Sequence, residues 1–133
     1  MAAVLAAGCA TQVAVGPANN QVATYHWGTL TGLMQGDPDS LFRATNHALD
    51  DLKYFRVYQE VSKDKKDILV VARGVLDQKV TVHITPAKDE GMNTVAISVG
   101  DGDLPKSQAL FSAIERNIGG GGSSSGLNSP SRP

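Results

Sequence analysis

Residues 68–99 read ILVVARGVLDQKVTVHITPAKDEGMNTVAISV, and this stretch decides the fold. Apolar and polar residues alternate with a period of two in residues 79–85 and again in residues 94–99. Such alternation is typical of strands with one face in a core and the other in water. Residues 68–72 are apolar throughout, which predicts a strand placed centrally in the sheet.

Further strands are expected on the N-terminal side of this stretch. Residues 57–61 suggest a weaker strand, and the charged residues 62–67 form a hairpin connection to the next one. Short links make the last four strands an antiparallel meander. One more strand is expected within residues 22–34, and its two faces are ambiguous. On a single strand, one face would hold Tyr25, Trp27 and Leu33, and the other Leu30 and Met34.

Two helices flank the meander. The first begins at Asp37-Pro38, where an acidic cap precedes a proline in the first turn. The second follows Asp103 and is expected to stop at Gly119. Each helix has one apolar stripe with spacings of three and four residues. The predicted buried positions are Leu41, Ala44, Ala48, Leu52 and Phe55 in the first helix, and Leu110, Phe111, Ile114 and Ile118 in the second.

The element order is therefore β-α-β-β-β-β-α. We expect a two-layer α+β domain, with a mostly antiparallel sheet of about five strands and both helices on one face. This single domain spans residues 22–118. Residues 1–21 are small, uncharged and rich in alanine, as in a signal-like leader followed by a linker. Residues 119–133 are rich in glycine and serine, which predicts a disordered tail.

Composition and motifs exclude several classes of function. The chain has 133 residues and a net charge of -1, which argues against a nucleic-acid partner. Its single cysteine excludes an internal disulfide and any zinc site built from several cysteines. His26, His47 and His83 lack metal-ligand spacing, and no nucleophile motif or phosphate-binding loop occurs. We therefore expect no enzyme activity, no catalytic residues, no metal and no cofactor.

Cys9 has the most specific surroundings. Residues 5–10, LAAGCA, look like a lipobox, in which small residues precede a cysteine that becomes diacylated after cleavage. The leader departs from that pattern, because only eight residues precede Cys9 and none is Lys or Arg. Cys9 is thus either a lipidation site or a chance cysteine in an alanine-rich leader.

The chain resembles a family of small bacterial envelope lipoproteins known only as a domain of unknown function. The resemblance covers about residues 9–118 and lies in the lipobox-like leader, the order of elements and the closing helix. It implies a location and no reaction. In such lipoproteins the residue after the lipidated cysteine influences sorting, and Ala10 implies the periplasmic face of the outer membrane.

Two functions lead, and an enzyme comes last because no constellation of nucleophile, base and orienting residue is visible. The first is a non-catalytic, lipid-anchored envelope domain that binds a protein or envelope partner or a second copy of itself. The alternative is a soluble domain, periplasmic or cytoplasmic, that binds a small ligand. In the first, the partner surface is centred on Leu69 and Val71, on the sheet face away from the helices. The region of Tyr25 and Trp27 either joins this surface or folds over it, unless Tyr58 and Lys79 shield the strip.

Overall fold

A computed structural model describes residues 11–18 and 21–121. These residues form one open antiparallel sheet of seven strands with two helices. The strands are β1 (Thr11–Val15), β2 (Gln21–His26), β3 (Thr29–Gln35), β4 (Phe55–Val61), β5 (Ile68–Arg73), β6 (Lys79–Pro86) and β7 (Met92–Val99). The helices are α1 (Pro38–Asp51) and α2 (Leu104–Gly121), and Val75–Asp77 form a short 3₁₀ turn.

The order of strands across the sheet is β1-β2-β3-β7-β6-β5-β4. The last four strands are the predicted meander, and all neighbours are antiparallel. The prediction of about five strands was too low by two. One extra strand is β1, which lies within the expected leader and linker of residues 1–21. The other arises because the single strand expected in residues 22–34 is two strands, β2 and β3.

A two-residue turn at Trp27 and Gly28 separates β2 from β3. Directly opposed residues in an antiparallel pair share a face, and Tyr25 is opposite Leu30. The turn therefore shifts the alternation, so Tyr25 lies on the helix-covered face with Leu30 and Met34, whereas Leu33 lies on the other face. The predicted grouping of Tyr25 with Leu33 was wrong for this reason.

Both helices lie on one face of the sheet. Helix α1 contacts β4, β5 and β6, while α2 contacts β1, β3 and β7. The core between the layers contains the predicted inward side chains of β6 and β7, all fully buried. Asp37 caps α1 by accepting hydrogen bonds from the hydroxyl and the amide of Ser40, at 2.8 and 3.2 Å. The hydrogen bond from the Ser40 hydroxyl is the main cause that lowers the pKa of Asp37, and the hydrogen bond from the Ser40 amide lowers it further.

Phe111 of α2 packs on a gap in the sheet. A Cβ atom at Gly32 of β3 would lie 2.6 Å from Cζ of Phe111 and 3.2 Å from Cβ of Ala23. The glycine therefore leaves room for the aromatic ring against the sheet.

Helix α2 continues through Gly119 to Gly121, so the predicted stop at Gly119 was wrong. Residues 122–133 of the expected tail lie outside the described residues.

The end of the first apolar stripe differs from the prediction. Leu49 is fully buried, Leu52 is partly buried, and Phe55 is exposed in β4. The chain leaves α1 at Leu52, and Lys53 has a left-handed backbone with φ 67°. The helical spacing therefore does not extend to Phe55, and Leu49 takes the buried position.

Strand β5 is the second strand from one edge and is not central. Ile68, Val70 and Ala72 are buried under the helices, as expected for one face of an apolar strand. Leu69 and Val71 are only partly buried on the opposite face. The apolar run therefore reflects one buried face and one face that no helix covers.

We expect Leu49→Ala to lower the free energy of unfolding by about 2–5 kcal/mol, because it removes buried methyl groups and leaves a cavity. Phe55→Ala is the control and should change it by less than about 0.5 kcal/mol, since its side chain is exposed. Denaturant unfolding of both variants measures the difference. Equal losses would contradict the burial pattern of α1.

Candidate functional site

The open face is the sheet face that the helices leave uncovered. Leu69 and Val71 lie on it, as the sequence predicted, and both are partly exposed. Tyr58 is opposite Val71 on β4 and covers part of the strip, although its own side chain is half exposed. Lys79 lies one strand away, opposite Arg73. Tyr58 and Lys79 therefore leave the apolar strip formed by Leu69 and Val71 partly exposed.

Tyr25 and Trp27 do not join Leu69 and Val71. Strand β2 is four strand positions from β5, which corresponds to about 19 Å. The Tyr25 side chain also lies on the helix-covered face, where its buried hydroxyl has no hydrogen-bond partner among the described residues. Trp27 is exposed in the β2–β3 turn. The structure therefore does not bring Tyr25 and Trp27 together with Leu69 and Val71 into one surface.

Strand β4 forms an exposed edge of the sheet. Every residue of β4 is exposed, including Phe55, Val57 and Tyr58. No other segment of residues 11–18 and 21–121 pairs with its outer side. Exposed edge strands present unpaired backbone donors and acceptors to other chains. We call Phe55, Val57, Tyr58, Leu69 and Val71 the edge surface.

A β-bulge between Arg56 and Tyr58 shapes this surface. Phe55 is opposite Arg73 and Tyr58 is opposite Val71, so both aromatic side chains lie on the open face. Without the extra residue, positions 55 and 58 would lie on opposite faces. The bulge therefore places two aromatic side chains beside the apolar strip of β5. Tyr58 also donates a hydrogen bond to Oε1 of Glu60 at 3.0 Å, which raises the pKa of Tyr58.

The opposite edge of the sheet, β1, differs from β4. The Gln108 side chain of α2 donates a hydrogen bond to the carbonyl oxygen of Ala14 in β1 at 3.0 Å. Just beyond β1, the amide of Gly16 donates to Oγ of Ser112 at 3.1 Å. Helix α2 thus contacts the C-terminal end of β1, whereas Thr11 and Gln12 are exposed. Strand β1 contains no aromatic side chain, unlike β4.

Away from the edge surface, most side chains on the open face are small or polar. Its middle consists of threonine, serine and alanine side chains of β3, β6 and β7, where Thr29 and Ser98 share a hydrogen bond of 2.9 Å between their hydroxyl oxygens. Nε2 of His83 lies 2.8 Å from Oδ1 of Asp67, and both side chains are about half exposed. Outside the edge surface, the exposed large apolar side chains of this face are Val22 and Leu33, on β2 and β3.

Titratable groups form no metal site in the described part of the chain. Residues 11–18 and 21–121 contain no cluster of three or more His, Cys, Asp or Glu side chains placed to hold a metal ion. His26, His47 and His83 are all exposed, on a strand end, a helix and a strand respectively. Burial raises the pKa of Glu115 on α2, and a hydrogen bond of 2.6 Å from Gln21 opposes this shift. Cys9 lies outside the described residues.

Trp27 and Leu76 are exposed residues on unfavourable backbone. Trp27 has φ 51° and Gly28 has φ 80°, and a type I′ hairpin turn requires positive φ at both positions. Leu76, between β5 and β6, has φ 61° and ψ 28°. Bulky side chains rarely adopt this left-handed conformation, and asparagine or glycine is the usual choice. The sequence signal was a nearby glycine in each link between strands, Gly28 directly after Trp27 and Gly74 two residues before Leu76, but this signal did not show that the side chains are exposed.

We expect Trp27→Asn and Leu76→Asn each to raise the free energy of unfolding by about 0.5–1 kcal/mol, because asparagine tolerates the left-handed region. Val75→Asn is the matched control, since Val75 is equally exposed but is not among the residues with positive φ. Thermal and denaturant unfolding measure the change. Destabilisation by both test substitutions would contradict the assigned turn geometry.

Within the described residues, neither helix has both the length and the apolar composition needed to cross a bilayer.

No curated protein matches the chain in sequence. The family described as "Protein of unknown function (DUF3568)" matches residues 1–117. Because this match covers most of the 133 residues, the chain belongs to the DUF3568 family.

Proposed function

We propose that this protein is a non-catalytic, lipid-anchored domain of the bacterial cell envelope that binds a partner protein at the edge surface. The observation that carries the proposal is the open edge strand β4, exposed along its whole length and rich in apolar side chains. An extended segment of a partner can add to such an edge by backbone hydrogen bonds, with side chains on alternate positions supplying specificity.

Three features favour a protein segment as the occupant. The outer side of β4 has no neighbouring strand among the described residues, so its backbone groups are free to pair. Phe55 and Tyr58 lie on one face next to Val71, which provides an apolar platform beside the added strand. The other edge strand, β1, has no aromatic side chain, and α2 makes hydrogen bonds at its C-terminal end. These contrasts favour β4 as the binding edge.

The anchor part of the proposal rests on the sequence around Cys9. Small residues precede this single cysteine as in a lipobox, and Ala10 favours the periplasmic face of the outer membrane. Strand β1 begins at Thr11, only two residues later. A lipid on Cys9 would thus hold the domain directly at a membrane surface.

The anchor is tested by feeding an alkyne-bearing fatty acid to bacteria that make the protein from its natural reading frame. We expect the protein to take up the label and to fractionate with membranes. Cys9→Ser should lose the label and leave the membrane fraction, with the folded domain unchanged by circular dichroism. Label that persists in Cys9→Ser, or absence of label in the unmodified protein, would refute lipidation at this residue.

The partner site is tested with a photoreactive amino acid placed at Val57 in cells. We expect a discrete crosslinked adduct from position 57 and none from position 33, which is similarly exposed on the open face but distant from β4. Adding Tyr58→Lys should abolish the adduct without unfolding the domain, since charged residues on edge strands oppose pairing.

The identity of the adduct distinguishes the possible occupants. A heterologous protein whose crosslinked peptide maps to one short segment supports strand addition to β4. An adduct with the mass of two copies of this chain would replace the partner with self-association. Equal adducts from positions 57 and 33, or an adduct that survives Tyr58→Lys, would refute a specific site at the edge surface.

A further inference from the structure

The most exposed large apolar side chains of the described chain lie at one end of the sheet. They are Leu76 at 96%, Trp27 at 77%, Phe55 at 76% and Val75 at 75% of full exposure. Strand pairing places them together: β2 ends and β3 begins at this end, where β5 also ends and β4 begins. We call these four residues and the β7–α2 link at residues 100–103 the loop end.

The connections of the loop end touch one another. A Cβ atom at Gly28 would lie 3.5 Å from the backbone of Asp101 and Gly102, and one at Gly100 would lie 2.6 Å from the Gln78 side chain. Nζ of Lys106 donates a hydrogen bond to Oε1 of Gln78 at 3.1 Å. The β2–β3 turn, the β7–α2 link and the β5–β6 loop therefore form one continuous surface.

The opposite end of the sheet has a different character. Its β4–β5 connection reads SKDKKD at residues 62–67, and its β6–β7 connection reads AKDEG at residues 87–91. All residues of these two links that carry a charge are exposed. The four most exposed large apolar side chains therefore lie at one end of the sheet, whereas these two connections at the other end display only charged side chains prominently.

The chain enters the sheet at the apolar end. Thr11, the first residue of β1, is opposite Tyr25 near the end of β2, immediately before Trp27. Cys9 precedes Thr11 by two residues, which can span at most about 7 Å. Any membrane anchor on Cys9 is therefore tied to the same end of the sheet as Trp27.

We infer that the loop end rests on the lipid bilayer, with Trp27 and Leu76 inserted at the level of the headgroups. The inference rests on the proposed anchoring at Cys9, and it adds the orientation of the domain on the membrane. Tryptophan favours the interface between water and acyl chains, where its ring is buried and its N–H stays hydrated. Both residues project from tight turns, so they can enter the interface without unfolding a strand.

The left-handed backbone at Trp27 and Leu76 fits this role. Positive φ at bulky residues is unfavourable and is retained where the displayed side chain has a use. Charges around the loop end balance in number, with Arg73, Lys79 and Lys106 against Asp77, Asp101 and Asp103. Arg73 lies 3.8 Å from Asp77, and Lys106 lies 3.9 Å from Asp103. The contact is therefore expected on zwitterionic lipid and does not require anionic headgroups.

The test uses the full chain, whose only cysteine is Cys9 and whose only tryptophan is Trp27. The Cys9 thiol is coupled to maleimide-headgroup lipid in phosphatidylcholine vesicles, which anchors the protein whether or not cells lipidate it. Failure of the natural anchor is thus separated from failure of the orientation. Lipids with brominated acyl chains and aqueous acrylamide report the environment of Trp27 by fluorescence quenching.

We expect brominated lipid to quench Trp27, and vesicle coupling to reduce acrylamide quenching severalfold. The matched control is Trp27→Phe with Leu33→Trp, because position 33 lies on the open face away from the loop end. Its tryptophan should stay accessible to acrylamide and be little affected by brominated lipid. Leu76→Asn should weaken quenching of Trp27 by brominated lipid while the domain remains folded.

Two results would overturn the inference. Equal quenching by brominated lipid at positions 27 and 33 would mean that the anchored domain has no preferred orientation. Unchanged acrylamide access to Trp27 on coupling would mean that the loop end stays in water.

Discussion

Two helices of this size cannot cover a sheet of seven strands. Seven strands at a spacing of about 4.8 Å span about 29 Å, whereas two helices packed 8–10 Å apart cover only about 20 Å. One whole face and part of the other must therefore remain open. On the helix side α1 contacts β4, but every residue of this strand stays exposed. The exposed edge and the open face both follow from this mismatch in width.

The contact between Phe111 and Gly32 shows how closely α2 packs on the sheet. The ring of Phe111 occupies the space that a side chain on β3 would fill. Helix α2 contacts β1, β3 and β7, and its Gln108 and Ser112 side chains bond to the backbone of Ala14 and Gly16 at the end of β1. Helix α1 packs on β4, β5 and β6. The helix layer therefore reaches both edge strands, but β4 keeps every residue exposed.

The proposed functions use adjoining parts of the same architecture, and Phe55 at the start of β4 belongs to both. The edge surface faces sideways along the sheet, whereas the loop end lies where the strands turn and where the chain enters at Thr11. A domain held at the loop end keeps the outer side of β4 accessible to a partner in the surrounding space. Strained turns at Trp27 and Leu76 cost stability that the buried core of β5, β6 and β7 supplies.

The sequence by itself determined the features that depend on near neighbours. These include the alternation in β6 and β7, the cap at Asp37, the one-sided helices, the α+β class and the position of Leu69 and Val71 on the open face. Local propensity and hydrophobic period carry this information, because each element has one buried side.

Only the tertiary structure decided the features defined by a partner strand. The turn at Trp27 shifts which residues share a face, the bulge in β4 brings Phe55 and Tyr58 together, and β1 pairs although its sequence looks like linker. Register is a relation between two strands, and a shift of one residue reverses which side chains face the core. A pattern read along one segment cannot show that relation, so the edge surface and the loop end emerged only when the strands were paired.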